Sequence, residues 1–429
     1  MRSAGHQLDL VRRAAGFRLL FFATLFSGLG TWLAVVALTV DVWDRTHSAK
    51  WVSALLIADF LPAVAIGLAL GPLIDRLSRR RLMIVGDLAR VAVFCALPFT
   101  DTPGGIVILA AAAGFATGFF RPAVFAGLPN LVPAEDLPAA NSLLRTAEYL
   151  MTTAGTLLGG VIVAAAGPHP AYWANAVSFL ISAFLIARIP AKRLQAAVAT
   201  SRGHWRDLAE GFGLVRRSQA LLTVFIVWNL IMFHNGAVNV AEVKLAKVSF
   251  EAGDFGFGLM WAFSGLGLVF GSLLAVVWLE RYGIARVYTA SIAAMALGSA
   301  LAAISPSVWV AIWCVALGGG GNGAANVYNL LLVQRGAPDR LRGRAFTVLM
   351  SSTFALMGIG MIVAGPLTDR FGARWLYAGA AAIALVATVV ASVMTRGMPR
   401  EPAQEREPEP EPVPDEELVT LVRRATGTP

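Results

Sequence analysis

Twelve stretches of this chain are each long and apolar enough to cross a lipid bilayer, and no other property restricts its fold as much. A spanning helix needs about 20 apolar residues, since each adds about 1.5 Å of rise across a hydrocarbon core of about 30 Å. The stretches run at about 17–41, 51–74, 82–100, 104–127, 139–166, 171–190, 220–243, 256–279, 284–304, 307–333, 342–367 and 374–396. Composition agrees, with 57% apolar and only 14% charged residues, where soluble domains carry about 25% charged. The first stretch exceeds the roughly 7–15 residues of a signal-peptide core and is expected to stay as a span.

Positive residues are retained on the cytoplasmic side. With the N-terminus placed inside, the outer loops hold only Arg45, Lys50, Lys244, Lys247, Arg370 and Arg374, and most of the 35 Lys and Arg residues fall in inner segments. The expected protein is therefore multi-pass in the cell membrane with both termini cytoplasmic. The net charge of +9 sits in short loops as a topology signal, so nucleic acid is not an expected partner. Cys95 and Cys314 lie in apolar stretches with no disulfide framework and no metal-ligand spacing, so no metal and no cofactor is expected.

The two sets of six spans resemble each other. Ile74-Asp75-Arg76-Leu77-Ser78 matches Leu279-Glu280-Arg281-Tyr282-Gly283, and Pro133 matches Pro338, both 205 residues apart. A duplicated six-helix unit is how parallel-repeat transporters are built. The expected fold is an all-α membrane protein of twelve transmembrane helices in two pseudo-symmetric six-helix bundles, residues 1–190 and 220–396. Residues 191–219 form a cytoplasmic linker whose WRDLAEGFGLVRRSQ segment suits a helix at the membrane surface. Residues 397–429, acidic and rich in proline, are expected to be a disordered cytoplasmic tail.

The most specific local pattern is Gly71-Pro-Leu-Ile-Asp75-Arg76-Leu-Ser-Arg79-Arg80-Arg81 at the inner end of the second span. Gly71 permits close helix approach, Asp75 can pair with a base or face a neighbouring helix N-terminus, and the arginines stay in the cytoplasm. This resembles motif A of the major facilitator superfamily, with Ser78 where that family usually has Gly. PAVFAGLPNLVPAEDLPAANSLL, GDLAR at 86–90 and GPLTDRFGARW at 365–375 are similar to the branch of siderophore, macrolide and multidrug exporters. The resemblance covers nearly all twelve spans and implies export by proton exchange. Gly155-Thr156-Leu157-Leu158-Gly159-Gly160 lacks the proline that many of those exporters carry in the fifth span.

Charges inside spans are costly and default to functional hypotheses. Asp75, Asp87 and Glu148 can balance Arg90, Arg121 and Arg145, with Asp87/Arg90 and Arg145/Glu148 each three apart on a helix face. The set is read either as an ionic latch on the cytoplasmic side or as a static network neutralising buried charge. Asp59, about eight residues into its span with no sequence-local cation, is the proton-coupling candidate, or else faces a wet vestibule. Asn229, His234, Asn235 and Asn239 form a polar stretch in the seventh span, and Asn322, Asn326 and Asn329 another in the tenth. Both are candidate solute linings, as is Trp32, although intramembrane Asn and His also serve as interhelical glue. Gly318-Gly319-Gly320-Gly321 lacks the Lys-Ser or Lys-Thr of a phosphate loop and marks close packing or a kink.

With no nucleotide loop and no catalytic arrangement, the expected energy source is a gradient, not an enzymatic step. The expected function is a monomeric secondary exporter of a small amphipathic compound, exchanged for protons and surrounded by membrane lipids. A proton-coupled importer and a lipid or lysolipid flippase share the architecture and stay open at this point.

Overall fold

The computed structural model describes residues 9–69, 77–194, 204–337 and 339–396. Gly71, Asp75, Arg76, linker residues 195–203 and the tail lie outside the described residues. Within them the chain forms α1 (Ala15–Thr46), α2 (Ala49–Ala69), α3 (Arg79–Ala96), α4 (Pro103–Gly127), α5 (Leu137–Ala166) and α6 (Pro168–Ala187). A short α7 (His204–Arg217) follows, then α8 (Gln219–Lys244), α9 (Gly253–Tyr282), α10 (Ile284–Ile304), α11 (Val308–Gly336), α12 (Asp339–Phe371) and α13 (Ala373–Thr395). All but α7 are long and apolar enough to cross a membrane, twelve among the described residues.

Local chemistry explains where the helices start. Ser78, Thr102 and Ser218 N-cap α3, α4 and α8, each accepting the backbone N–H three residues on. Pro103 and Pro168 occupy first turns, where a missing N–H costs nothing. The duplication is visible in the boundaries: α3 and α10, α4 and α11, and α6 and α13 begin 205 residues apart. Gly167 and Gly372, 205 apart, turn the chain between helices at φ 75° and 88°. Gly283 does so at φ 76° between α9 and α10. Its counterpart Ser78 has φ −65° instead, so the first half makes this turn through a side-chain cap and not through a left-handed glycine.

Small residues bring the helices together. A Cβ on Gly114 of α4 would lie 2.0 Å from the Asp59 carbonyl oxygen of α2, and one on Gly155 of α5 would meet Leu29 and Trp32 of α1. Gly267 and Gly271 of α9 abut Ala316 and Gly320 of α11. The Gly318–Gly321 run lies within one continuous helix, with Gly319 on Ser264 and Gly321 on Ser291, so of its two readings close packing holds.

Three buried apolar clusters organise the interior. One belongs to the first half (Phe17, Met83, Phe120, Leu144, Ile186) and one to the second (Leu221, Ile231, Tyr288, Tyr328, Leu349). The third draws on both, with Val36, Val40 and Leu55 against Val240, Phe257 and Met361. It lies toward the end carrying the α1–α2, α5–α6 and α12–α13 turns, called here the far end. The opposite end, which carries α7, is the linker end. There α7 packs on α12 through Gly211 against Arg344 and Val348, with an Arg344–Glu210 ion pair.

Candidate transport site

The halves are sealed together at the far end by polar groups that reach across. Asp369, near the end of α12, accepts hydrogen bonds from the Ser48 hydroxyl (2.7 Å), the Ala49 N–H (2.7 Å) and the Lys50 N–H (3.3 Å). A carboxylate at the first turn of α2 complements both its unpaired N–H groups and its dipole. Lys247 bridges Asp44 of the first half and Asp254 of the second. Deeper in, the Ser53 hydroxyl donates to the Met361 carbonyl, and Gly160 of α5 meets Gly258 of α9 backbone to backbone. Two ring pairs mark the deepest part of this contact, Trp32–Trp261 at 6.0 Å and Phe60–Phe354 at 5.3 Å.

A cavity of about 180 Å³ lies in the first half, lined by Thr31, Trp32, Arg90, Phe120, Arg121 and Glu148 among others. Arg90 is buried on α3, donates to Asp87 at 2.5 Å, and has its guanidinium 4.4 Å from the Phe120 ring centroid and 4.1 Å from that of Phe179. Stacking between two aromatic faces is worth about 2 kcal/mol for a desolvated guanidinium and offsets part of the cost of burying it. Asp59 on α2 makes no hydrogen bond or ion pair among the described residues, and Arg90 is the cation whose field reaches it. Arg121 and Arg145 both bind Glu148, at 2.5 and 3.2 Å, in a partly exposed cluster.

The charged set of α3 to α5 is thus split. Asp87 and Arg90 form one buried pair; Arg121, Arg145 and Glu148 form a separate group. Arg79 donates to the Ala126 (2.9 Å) and Leu194 (3.2 Å) carbonyls, and Arg80 to that of Ala187, so both tie the first half to itself at the linker end.

A second cavity, about 380 Å³, lies in the second half. Asn235 and Asn239 of α8 and Asn322 and Asn326 of α11 line it as the sequence predicts, with Trp228, Phe354 and Tyr377 as aromatic walls. Three candidates, His234, Asn229 and Asn329, do not line it. His234 is buried, its Nδ1–H donating to the Ala380 carbonyl at 2.9 Å while Nε2 accepts from Ser299 at 3.3 Å, so it joins α8 to α13 and α10. The Asn229 amide donates to Phe225 and Ser352, and Asn329 accepts from the Tyr288 hydroxyl. The reason is angular, since residues 234 and 235 point about 100° apart around a helix of 3.6 residues per turn.

Glu242 was missed by the sequence reading. It lines the second cavity, is only 5% exposed, and has no hydrogen bond or ion pair among the described residues. A signal existed, since Trp228, Met232, Asn235, Asn239 and Glu242 form one stripe at i, i+4, i+7, i+11 and i+14. Asp41 was missed too, and is held by Arg45 at 2.6 Å and the Tyr172 hydroxyl at 2.8 Å.

The chain matches the family described as Transmembrane secretion effector over residues 11–428. It is 28% identical to the multidrug efflux pump Tap of Mycolicibacterium fortuitum, over 88% of this chain and 95% of that pump. Macrolide efflux protein A of Streptococcus pyogenes is 22% identical over 82% of this chain and 90% of its own length. Among solved structures, a nucleoside transporter, NupG, superposes with a TM-score of 0.74 at 16% identity, covering 89% of this chain and 99% of that one. An inward-facing bacterial homologue of the iron transporter ferroportin gives 0.72 at 16% identity, over 89% and 98%. With twelve spanning helices in two repeated halves and a family match along nearly its whole length, this chain belongs to the Transmembrane secretion effector family of the major facilitator superfamily, and is a membrane transporter.

Proposed function

We propose that this transporter exports a small amphipathic compound from the cell in exchange for protons, by alternating access between its two halves. The observation that carries the reading is the far-end seal: the halves lock there through Asp369, Lys247 and the Gly160–Gly258 contact, while each keeps its own core toward the linker end. Two rigid units joined at one end can rock about the shared contact. The kinship with multidrug and macrolide efflux proteins supports the outward direction of transport.

In this reading the chain works as a monomer in the cytoplasmic membrane, with the linker, the tail and both termini in the cytoplasm. Residues 1–190 and 220–396 are the rocking units. Gly71, Asp75, Arg76, Arg79 and Arg80 serve closure of the cytoplasmic side, and the charges of α3 to α5 hold the first half rigid as it moves. Asp59 is the proton-exchanging carboxylate, because Arg90, the cation among the described residues whose field reaches it, is committed to Asp87. Trp32 and the asparagines of the second cavity line the path of the compound.

A deletion strain and its complemented partner, compared across a growth-inhibition panel, test export: selective sensitisation supports it, while uptake of the protective compounds by the complemented cells refutes it. In everted vesicles, compound-driven proton movement is expected from the parent and not from Asp59→Asn. Retained movement removes Asp59 from the mechanism.

A further inference from the structure

We infer that the cavity of the second half is a recognition site for a lipophilic organic cation, with the Glu242 carboxylate as its counter-ion. An ionisable side chain at membrane depth normally finds a partner within the protein. Glu242 is 5% exposed and has none among the described residues. The basic groups that stand closest in sequence on α8 and α13 are engaged elsewhere. Lys244 donates to the Thr368 carbonyl at 2.9 Å, Lys247 holds Asp44 and Asp254, and Arg374 donates to the Ala303 and Ser305 carbonyls at 2.9 and 2.7 Å. Among the described residues no lysine or arginine lines the cavity.

The surroundings fit a cation better than any other guest. Asn235 and Asn239, on the Glu242 stripe of α8, have side-chain amides with no hydrogen bond among the described residues. Trp228, Phe354 and Tyr377 offer aromatic faces, which attract an ammonium or phosphonium group through their quadrupoles. The Met232, Met350 and Met357 thioethers supply an adaptable apolar wall. A volume of about 380 Å³ suits a compound with a single charged head and an aromatic body. The cavity of the first half differs, with Arg90, Arg121 and Glu148 in its wall and each of these charges paired, so among the described residues it is the second cavity that holds an uncompensated carboxylate. Passage of such a cation rests on the export reading above; its binding does not.

Equilibrium binding of radiolabelled tetraphenylphosphonium to the purified full chain in lipid nanodiscs tests the site. Saturable binding is expected, weakened at least tenfold in Glu242→Gln and partly retained in Glu242→Asp. Equal affinity in the parent and in a folded Glu242→Gln overturns the assignment. A second measurement needs no variant. Tetraphenylphosphonium should slow modification of Glu242 by dicyclohexylcarbodiimide, read by peptide mass, while leaving Asp59 modification unchanged. Absence of protection at saturating cation overturns the assignment as well. If binding requires Glu242 but the deletion strain shows no sensitisation, the site stands and export fails. If export is intact and the cation never binds, the site fails and export stands.

Discussion

Removing the Asp369 carboxylate should unlock the far end by an amount that the geometry sets. Three donors converge on it, the Ser48 hydroxyl and Ala49 N–H at 2.7 Å and the Lys50 N–H at 3.3 Å. Hydrogen bonds to a charged group are worth about 1.5–3 kcal/mol each, and the charge at a helix N-terminus adds about 0.3–1 kcal/mol. Lys50 is exposed, so water replaces part of what is lost there. Ser48 and Asp369 are themselves only half-buried, and water recovers most of that sum, so the net loss for Asp369→Ala is about 2 kcal/mol, close to a 30-fold change in the ratio of far-closed to far-open molecules. Asp369→Asn keeps an acceptor oxygen but not the charge and should lose about half as much, roughly a fivefold change. The distance between spin labels at Asp101→Cys and Ser307→Cys, in a background lacking Cys95 and Cys314, reports the ratio by double electron–electron resonance. A far-end distance distribution identical in the parent and in a folded Asp369→Ala protein would refute the reasoning.

Other substitutions separate structure from transport. Gly160→Val places a side chain where the α9 backbone now sits, with even a Cβ 2.8 Å from Gly258 Cα; it should block far-end closure while leaving folded yield near the parent's, read by the same labels. Gly114→Leu drives into the Asp59 carbonyl inside one half and should instead reduce the yield of folded protein severalfold on size exclusion. Arg90→Lys keeps the charge but loses the planar group held between two rings, and an unfolding midpoint lowered by the equivalent of about 1–2 kcal/mol is expected. Glu148→Gln removes a partly exposed acid shared by two arginines and should cost no more than about 1 kcal/mol in the same assay.

The architecture was legible because bilayer thickness dictates span length and a duplicated gene keeps its register, so both halves could be read from apolar runs and a 205-residue offset. The candidate site was legible in part. Asn235, Asn322 and Asn326 line the second cavity, but they were chosen by depth alone, and depth does not distinguish a residue facing the cavity from one facing the next helix. That is why His234 and Asn229, at similar depth, turned out to bridge helices. Glu242 escaped for the opposite reason. It falls at the edge of its apolar run, where a carboxylate reads as belonging to the water interface, whereas the helix continues past it to Lys244 and on into a π-helical turn at Leu245–Ser249. Asp369 could not be assigned a partner from sequence, since its partners lie more than 300 residues away in the other half.

The Gly160–Gly258 contact bears on how the far end would part. With no side chain on either helix at this crossing, separation breaks no salt link there and requires no rotamer to turn, so the two pieces of main chain can come apart and rejoin like the faces of a clean fracture. Such a joint is blind to polarity and sensitive to bulk, and substitutions along it should grade by volume: alanine a nuisance, valine a wedge, tryptophan a prop that holds the door ajar.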